Sequence, residues 1–494
     1  MYMRSIYPLL LVAVLVLEGC AVSTSPVTGN RRAYAYTWQE EIAIGRDADP
    51  QIVAQFGEYD DPDMARYVDS LGQALLEVSH LRRPGADPEW ATTPFTFRVL
   101  DSPVVNAFAL PGGFVYVTRG LMAHLENEAQ LAVVLGHEIG HVAGRHGSKR
   151  AMNQMFGQAA LLAGAVGGQA LFGGNAAENV LNLGSGATQL LFLSYGRDDE
   201  RESDDLGVEY ASFLGYDASE GSEFFRTLRR LGEQAGQDLP SFLSTHPDPG
   251  EREQTIQRMA GEWAATMPTN KIVREPYLRR VDGVVWGEDP RQGFSRDGWF
   301  HHPQLAFQFP VPSGFQVINQ PTQVVMIPES QEAYLVMTIE SEHASARAAS
   351  DAFRQQQGLT VVQAGLGQTN GLSGWVVVAN ATQENGQVLG IRAHFIDHGG
   401  RVYRFIGVTT QQQYPAYESI FAQSTNNFRP LTDPAILNIQ PNRMQLATVR
   451  QPGAFRNVVP ATLPPGTTAE TMAIINQLNL DSMVSAGRLY KSLK

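Results

Sequence analysis

The chain has 494 residues, which is too long for one hydrophobic core and predicts about three domains at roughly 150 residues each. Its content of 43% hydrophobic and 18% charged residues is typical of a globular protein and excludes a disordered or membrane-dominated chain. The formal net charge of -13 argues against a nucleic-acid partner, because phosphate-binding surfaces need clustered Lys and Arg.

Residues 1–19 have the pattern of a secretion signal, with Arg4 before an apolar run that is too short to cross a bilayer. The run ends in LEGC, which resembles the lipobox of bacterial lipoproteins. Cys20 is the only cysteine, so no disulfide can form within the chain. We therefore predict a lipoprotein signal peptide over 1–19, a lipid anchor on Cys20 and a polar tether over 20–33. The alternative is an incidental cysteine in a cleaved signal. Ala21 after the cysteine implies sorting to the periplasmic side of the outer membrane.

Helices are predicted next, because residues 34–81 carry apolar side chains three and four positions apart. Asp61 or Asp63 is available as the N-cap of the second helix. The segment PFTFRVL then alternates as a strand does, and NAFALPGGFVYVTRG has the pattern of strand, turn and strand. A small sheet is therefore expected directly before the next helix.

That helix, LAVVLGHEIGHVAGRH, carries His137, Glu138 and His141 in an apolar run. Histidines one turn apart project from the same face and can bind one metal ion, and neutral imidazoles suit zinc. Two ligands leave room for a third protein ligand and a water molecule, from which Glu138 can accept a proton. The pattern predicts one zinc ion per chain and amide hydrolysis, against the alternative of a chance HExxH on a surface helix. His146, near the helix end, is interpreted as a partner of the helix dipole.

A third ligand is expected from a second helix, in which DDERESDDLGVEY offers several carboxylates. The residues alone leave the choice open between Glu200, Glu202, Asp204 and Glu209. Between the two helices, the Gly- and Ala-rich segment 164–186 is interpreted as a helical hairpin or a mobile cover.

Further helical segments close a mostly helical domain over 34–268, which is followed by a linker over 269–300. Alternating, Gln-rich segments with one helix predict an α+β domain over 301–432, whose opening FPVPSGFQV resembles PsbP-like domains. The order of the sequence segments in residues 433–494 resembles that of a LysM-like module.

Four segments, in this order and spacing, resemble the HtpX and CAAX-prenyl-protease family of zinc metallopeptidases, and in particular its secreted BepA-like lipoprotein branch. They are NAFALPGGFVYVTRGL, LAVVLGHEIGHVAGRH, ERESDDLG and STHPDPGERE. The resemblance covers residues 34–263 and implies a zincin-like protease domain. The family's helix signature Glu-x-Glu-Ala-Asp, placed on residues 200–204, implies that Glu202 is the third zinc ligand. It also implies that Asp204 orients a ligand imidazole.

The resemblance implies roles for two further segments. The strand with Asn106, Ala107 and Phe108 would lie beside the cleft and pair with an extended substrate backbone, although a plain buried hairpin fits these residues equally. His246 is expected on a loop, held extended by the following proline, and is brought over the metal site. Its imidazole would either donate a hydrogen bond to the oxyanion of the tetrahedral intermediate or displace the water as a fourth zinc ligand. The second role would keep the enzyme latent, and we favour it. The remaining alternative is a loop histidine that caps a turn.

Together these features predict a zinc endopeptidase that cleaves misfolded or misassembled proteins of the bacterial cell envelope. Its C-terminal domains would contact peptidoglycan or the outer-membrane assembly machinery, and no nucleic acid is expected to bind. The alternative is a chaperone or assembly factor for envelope proteins with a latent metal site. The intact Glu138 favours the enzyme, because a metal site without catalytic activity does not need a general base.

Overall fold

The structure is a computed structural model that describes residues 21–152, 195–235, 242, 246, 249–367, 369–383 and 386–494. The predicted signal peptide, Cys20 and the Gly-rich segment 164–186 lie outside these described residues. The described helices are α1 (Trp38–Phe56), α2 (Pro62–Glu77), α3 (Pro88–Ala91), α4 (Arg119–His124), α5 (Glu128–Ala143), α6 (Arg197–Phe213), α7 (Glu220–Ala235), α8 (Pro249–Ala264), α9 (Arg274–Val281), α10 (Ala346–Phe353), α11 (Tyr414–Asn426), α12 (Pro434–Leu437) and α13 (Ala469–Ile475).

Strands occur in a small group within the helical region and in a large group after it. They are β1 (Ala21–Thr24), β2 (Arg31–Tyr34), β3 (Thr96–Leu100), β4 (Ala107–Leu110), β5 (Phe114–Thr118), β6 (Phe294–Arg296), β7 (Trp299–His302), β8 (Phe307–Pro310), β9 (Phe315–Gln320), β10 (Gln323–Pro328), β11 (Ala333–Glu340), β12 (Leu359–Leu366), β13 (Gly374–Thr382), β14 (Val388–His398), β15 (Arg401–Thr410), β16 (Arg429–Pro430), β17 (Met444–Thr448), β18 (Gly453–Ala454), β19 (Met483–Val484) and β20 (Leu489–Leu493).

The first described residues form a hairpin rather than the polar tether predicted for 20–33. Strands β1 and β2 pair antiparallel. The buried guanidinium of Arg145 lies over the ring of Tyr34, 3.9 Å from its centroid, and also bonds the Ser23 hydroxyl. These contacts come from more than 100 positions away in the chain, so local composition could not reveal them.

Side chains cap the first turns of helices α1 and α2, and the cap at Asp61 was predicted. Thr37 and Glu40 form a reciprocal capping box at α1, and the Asp61 side chain accepts from the first turn of α2. The buried face of α2, with Val68 and Leu75, packs into a core that also contains most of α5. The predicted pair of helices before the histidine segment is confirmed.

The small sheet beside α5 has three strands in the order β3, β5, β4. Strand β3 runs parallel to β5, whereas β4 is antiparallel to β5 and lies at the edge. The link between β4 and β5 is a tight turn in which Gly112 and Gly113 have φ of 80° and 98°. The edge strand contacts α5, so the predicted sheet lies directly against the histidine helix.

The sheet-rich region after residue 290 confirms the expected change of architecture. Its main sheet has seven antiparallel strands in the order β12, β13, β14, β15, β11, β10, β9. Helix α10 packs on this sheet through Ala346 and Ala349, and α11 through Phe421. A second sheet, ordered β16, β8, β7, β6, shares the core that contains Phe421.

The C-terminal residues share a hydrophobic core with the helical region around α5. Strands β17 and β20 pair antiparallel, with α13 between them in the chain. The ammonium group of Lys491 is fully buried and donates to the carbonyl oxygens of Ala123 at 3.1 Å and Leu125 at 2.9 Å. The segment expected as a linker contains α9, whose Tyr277 and Leu278 are buried in the same core. Within the described residues, no helix is both long and apolar enough to cross a membrane.

Candidate metal centre

The histidine helix α5 is the central element of the site. The Asn127 side chain caps its first turn by accepting from the backbone N–H of Gln130. Every residue from Ala129 to Ala143 is buried, so neighbours surround the helix on all sides. The Nε2 atoms of His137 and His141 lie 2.9 Å apart, as one helical turn between them requires.

Glycines at the contact of α5 and α6 bring the two helices together. A Cβ on Gly207 would lie 2.8 Å from the backbone N of His137, and a Cβ on Gly136 would lie 3.1 Å from the Cα of Gly207. Backbones that approach this closely tolerate no side chain between them. The carboxylates of α6 are therefore held at a fixed distance from the imidazoles of α5.

Four buried side chains converge between these helices and the segment that precedes α8. The Oε2 atom of Glu200 lies 3.7 Å from Nε2 of His137, and its Oε1 atom lies 3.5 Å from Nε2 of His141. His246 completes the group, with its Nδ1 atom 3.0 Å from Glu200 Oε1 and 3.3 Å from His137 Nε2. One donor atom from each residue lies within 4.8 Å of the other three.

This donor set fits a zinc ion. Imidazole nitrogens and a carboxylate oxygen are ligands that zinc prefers, and four donors match its tetrahedral coordination. The Nε2 atom of His246 is buried and has no hydrogen-bond partner within the described residues. Burying such a polar nitrogen costs free energy unless a bound ion or a proton satisfies it.

Residues 65–260, which contain all four donors, match the sequence profile of peptidase family M48. This region therefore has the sequence pattern of a family M48 peptidase domain. The putative beta-barrel assembly-enhancing protease of Vibrio cholerae is 33% identical over 198 residues, which cover 39% of this chain and 38% of that protein. The beta-barrel assembly-enhancing protease of Escherichia coli is 28% identical over 246 residues, which cover 49% of this chain and 48% of that protein. The chain thus spans about half or less of the length of these two relatives.

A mitochondrial metalloendopeptidase, OMA1 of Schizosaccharomyces pombe, is 27% identical over 265 residues, which cover 53% of this chain and 74% of that protein. Among solved structures, cyanobacterial PsbP from Synechocystis is similar over 28% of this chain and 91% of that chain, at 13% identity. The TM-score of that match is 0.21, which is too low to support a conclusion.

The carboxyl group of Glu138 lies at the edge of the donor group in the M48 domain. Its Oε1 atom is 3.7 Å from Nε2 of His246. Burial raises the pKa of Glu138 to about 7, although the neighbouring His246 opposes this shift. A carboxyl group with a pKa near neutrality can both accept and return a proton, as a general base that later acts as an acid must do.

Asp204 and Arg252 hold the side of His137 that faces away from the donor group. The Oδ1 atom of Asp204 lies 2.9 Å from Nδ1 of His137, as predicted for a residue that orients a ligand imidazole. Arg252 donates to Asp204 and pairs with Glu200 at 2.8 Å. Burial raises the pKa of Asp204, but Arg252 and His137 outweigh burial and lower that pKa to about 2. The carboxylate is therefore ionised at neutral pH.

The structure contradicts the prediction of Glu202 as third ligand, because Glu200 and not Glu202 lies in the donor group with His137 and His141. Successive helix residues are rotated by about 100°, so Glu200 and Asp204 share one face of α6 while Glu202 points away from it. Glu202 instead lies 2.9 Å from Nε2 of His146. Its pKa is lowered to about 2, chiefly by the hydrogen bond from His146. The other open candidate, Glu209, pairs with Arg83 at 2.9 Å.

His246 lies over the donor group, as the family resemblance implied. Its backbone forms a bend rather than the predicted extended conformation, and its N–H donates to the carbonyl oxygen of Phe242 at 2.8 Å. The ring stacks on Phe242 with centroids 4.4 Å apart. Its position within the donor group agrees with a fourth ligand, while the 3.7 Å approach to Glu138 places it beside the expected base. The choice between latency and oxyanion stabilisation remains a prediction.

The strand proposed to bind substrate is the edge strand β4. The side chains of Ala107 and Phe108 are buried, and the Phe108 ring stacks on Tyr116 at 4.8 Å. The backbone N–H of Asn106 donates to the Thr118 hydroxyl at 3.2 Å. The side chains of Ala107 and Phe108 therefore serve the core, and only the strand's outer edge is placed for pairing with a peptide. The substrate-binding role stays a prediction.

Two further residues of the site were not identified from the sequence. Arg252 pairs with the carboxylates of Glu200 and Asp204. In the sequence it is a single Arg near the start of α8. Tyr195 stacks on His141 with ring centroids 3.8 Å apart. Arg252 lies within the family segment STHPDPGERE and Tyr195 lies in none of the four segments, but the contacts of both residues with the site are visible only in the fold.

Proposed function

We propose that this chain is a zinc-dependent endopeptidase that hydrolyses misfolded or misassembled proteins of the bacterial cell envelope. The observation that carries the proposal is the buried group of His137, His141, Glu200 and His246 with Glu138 at its edge. The first three would hold one zinc ion per chain, and His246 would either join them or act on the substrate.

A zinc ion bound to these residues supplies Lewis-acid chemistry, which polarises a carbonyl group and makes a water molecule easier to deprotonate. Glu138 accepts a proton from the attacking water and returns it to the leaving amine. Asp204 fixes the ring of His137 through Nδ1, so the opposite nitrogen faces the donor group. The outer edge of β4 aligns an extended peptide by backbone pairing at Ala107 and Phe108, while the backbone of Asn106 bonds Thr118 within the sheet.

The cellular setting of the proposal rests on the N-terminal sequence and on the relatives. Cys20 in a lipobox-like segment supports a lipid anchor at the periplasmic side of the outer membrane. Two relatives are named beta-barrel assembly-enhancing proteases, which supports substrates among envelope proteins and contact with the assembly machinery. The PsbP-like domain over 301–432 and the LysM-like module over 433–494 would supply contacts to such partners or to peptidoglycan.

A second candidate function is a chaperone or assembly factor whose metal site is latent. The observation that favours it is the presence of four protein donors, because zinc sites with four protein ligands are structural and leave no position for water. If His246 is a permanent ligand, binding of envelope proteins would be the main activity.

Casein degradation by zinc-loaded protein separates these functions. The wild type should degrade casein, and both a chelator and Glu138→Gln should abolish the activity. Asp205→Asn is a matched carboxylate-to-amide control, because Asp205 lies outside the donor group and should leave the rate unchanged. A wild type that binds zinc and prevents aggregation of unfolded proteins, but cleaves none, would support the chaperone.

A further inference from the structure

His146 connects a predicted zinc ligand to a carboxylate on the neighbouring helix. Its Nδ1 atom lies 2.9 Å from Nδ1 of His141, and its Nε2 atom lies 2.9 Å from Oε2 of Glu202. The imidazole of His146 is fully buried, and the side chain of Glu202 is 21% exposed. The three side chains form a chain of hydrogen bonds from the donor group to the protein surface.

Only one placement of protons satisfies these hydrogen bonds and leaves His141 able to bind a metal ion. An ionised carboxylate only accepts hydrogen bonds, so Nε2 of His146 must carry a proton for Glu202. Nδ1 of a neutral His146 is then an acceptor, which requires the proton of His141 to be on Nδ1. The Nε2 lone pair of His141 is thereby free, and this is the atom that faces Glu200 at 3.5 Å.

Neighbouring groups favour this arrangement. Lys149 lies 3.4 Å from Glu202 and 2.6 Å from Asp199, so its ammonium group offsets the negative charge of the carboxylates beside His146. The oxygen of Asp199 is 3.6 Å from Nε2 of His146, which is beyond hydrogen-bonding distance.

We propose that His146 and Glu202 are positioning residues that fix the metal-binding tautomer and the ring orientation of His141. His137 receives the same support directly from Asp204, so each ligand imidazole is oriented by a carboxylate, one directly and one through His146. The inference rests on the proposed zinc site. It also gives Glu202 a role that differs from direct ligation.

Three Glu→Gln substitutions on α6 test the inference by zinc affinity, measured as competition with a chelating dye. Glu200→Gln removes a ligand and should leave no stoichiometric zinc. Glu202→Gln should keep one zinc per chain but bind it about 10- to 100-fold more weakly, as is typical when a partner of a ligand imidazole is lost. Glu209→Gln, which lies on the same helix and pairs with Arg83, should bind zinc as the wild type does.

The alternatives give different results in this series. Loss of zinc in Glu202→Gln as complete as in Glu200→Gln would make Glu202 a ligand and overturn the inference. Affinity equal to that of the wild type would also overturn it. A wild type that binds no zinc would refute the proposed function itself, so failure of the two proposals can be distinguished.

A pair of His146 variants adds a spectroscopic measurement. In cobalt-substituted protein, His146→Phe keeps an aromatic ring but no hydrogen bond, and should shift the visible ligand-field bands and weaken metal binding. His146→Gln retains an acceptor and a donor and should restore part of both. Because thermal unfolding of the metal-free variants reports folding separately, unchanged bands in a folded His146→Phe would refute the positioning role.

Discussion

Gly207→Ala tests whether the close contact of two helices sets the geometry of the metal centre. Gly207 on α6 faces the turn of α5 that joins Val133 to His137. A Cβ there would lie 2.8 Å from the backbone N of His137 and 2.9 Å from the carbonyl oxygen of Val133. Both contacts involve backbone, so rotation of a side chain cannot relieve them.

The size of the effect follows from these distances. Ordinary contact begins at 3.4 Å, so the helices must separate by roughly 0.5 Å at this point. Zinc sites accept ligand displacements of about 0.2 Å, so we expect zinc affinity to fall about tenfold or more. Overpacking costs about 1–3 kcal/mol, and the better helix propensity of alanine returns about 1 kcal/mol. The metal-free domain should therefore lose about 1 kcal/mol of unfolding free energy.

The assay combines zinc competition with urea unfolding of metal-free protein. Gly261→Ala is the matched control, because a Cβ at this position on α8 meets no atom within 4 Å. This control should bind zinc normally and be as stable as the wild type or more so. If Gly207→Ala binds zinc and unfolds as the wild type does, helix spacing does not control the ligand geometry and the reasoning is wrong.

Four other substitutions have defined outcomes. Glu138→Gln should retain one zinc but lose about 100-fold or more of peptide cleavage, because only the base is removed, and equal rates would exclude this base. His246→Ala should raise basal peptide cleavage if the imidazole blocks the site, whereas a fall of about 100-fold would show that the imidazole stabilises the oxyanion. An unchanged cleavage rate and zinc content would leave His246 with a structural role. Cys20→Ala should release the exported protein from the membrane fraction and abolish palmitate labelling, and an unlabelled wild type would exclude the anchor. Lys491→Met should cost about 1–3 kcal/mol in urea unfolding, because it leaves the buried carbonyl oxygens of residues 123 and 125 without a donor, and an unchanged midpoint would contradict that role.

The histidine helix shows which structural features can be predicted from the sequence. Apolar spacing predicts a helix, and helical geometry alone places His137 and His141 on one face at a distance suited to one ion. The predicted cap at Asp61 is local in the same sense, since it depends on residues within a single turn. Relations within one element are fixed by its backbone, and they were predicted correctly.

Relations between elements required the structure. The sequence supplied an acidic helix but not its rotation about its own axis, and that rotation decides between Glu200 and Glu202. Arg252 and His146 acquire their roles from partners 48 and 56 positions away. The same holds for the N-terminal hairpin, which Arg145 stabilises from a distant segment.

The sequence by itself determined the class of chemistry, the position of the ligand pair, and the change from a helical to a sheet-rich region. The tertiary structure decided the candidate third ligand, the chain of hydrogen bonds behind His141, and the packing of the C-terminal residues against the helical core. The physical reason is that side-chain periodicity encodes which face of an element is buried, but not which partner covers it. That choice depends on close packing between distant segments, such as the contact of Gly207 with His137, and packing is a property of the whole fold.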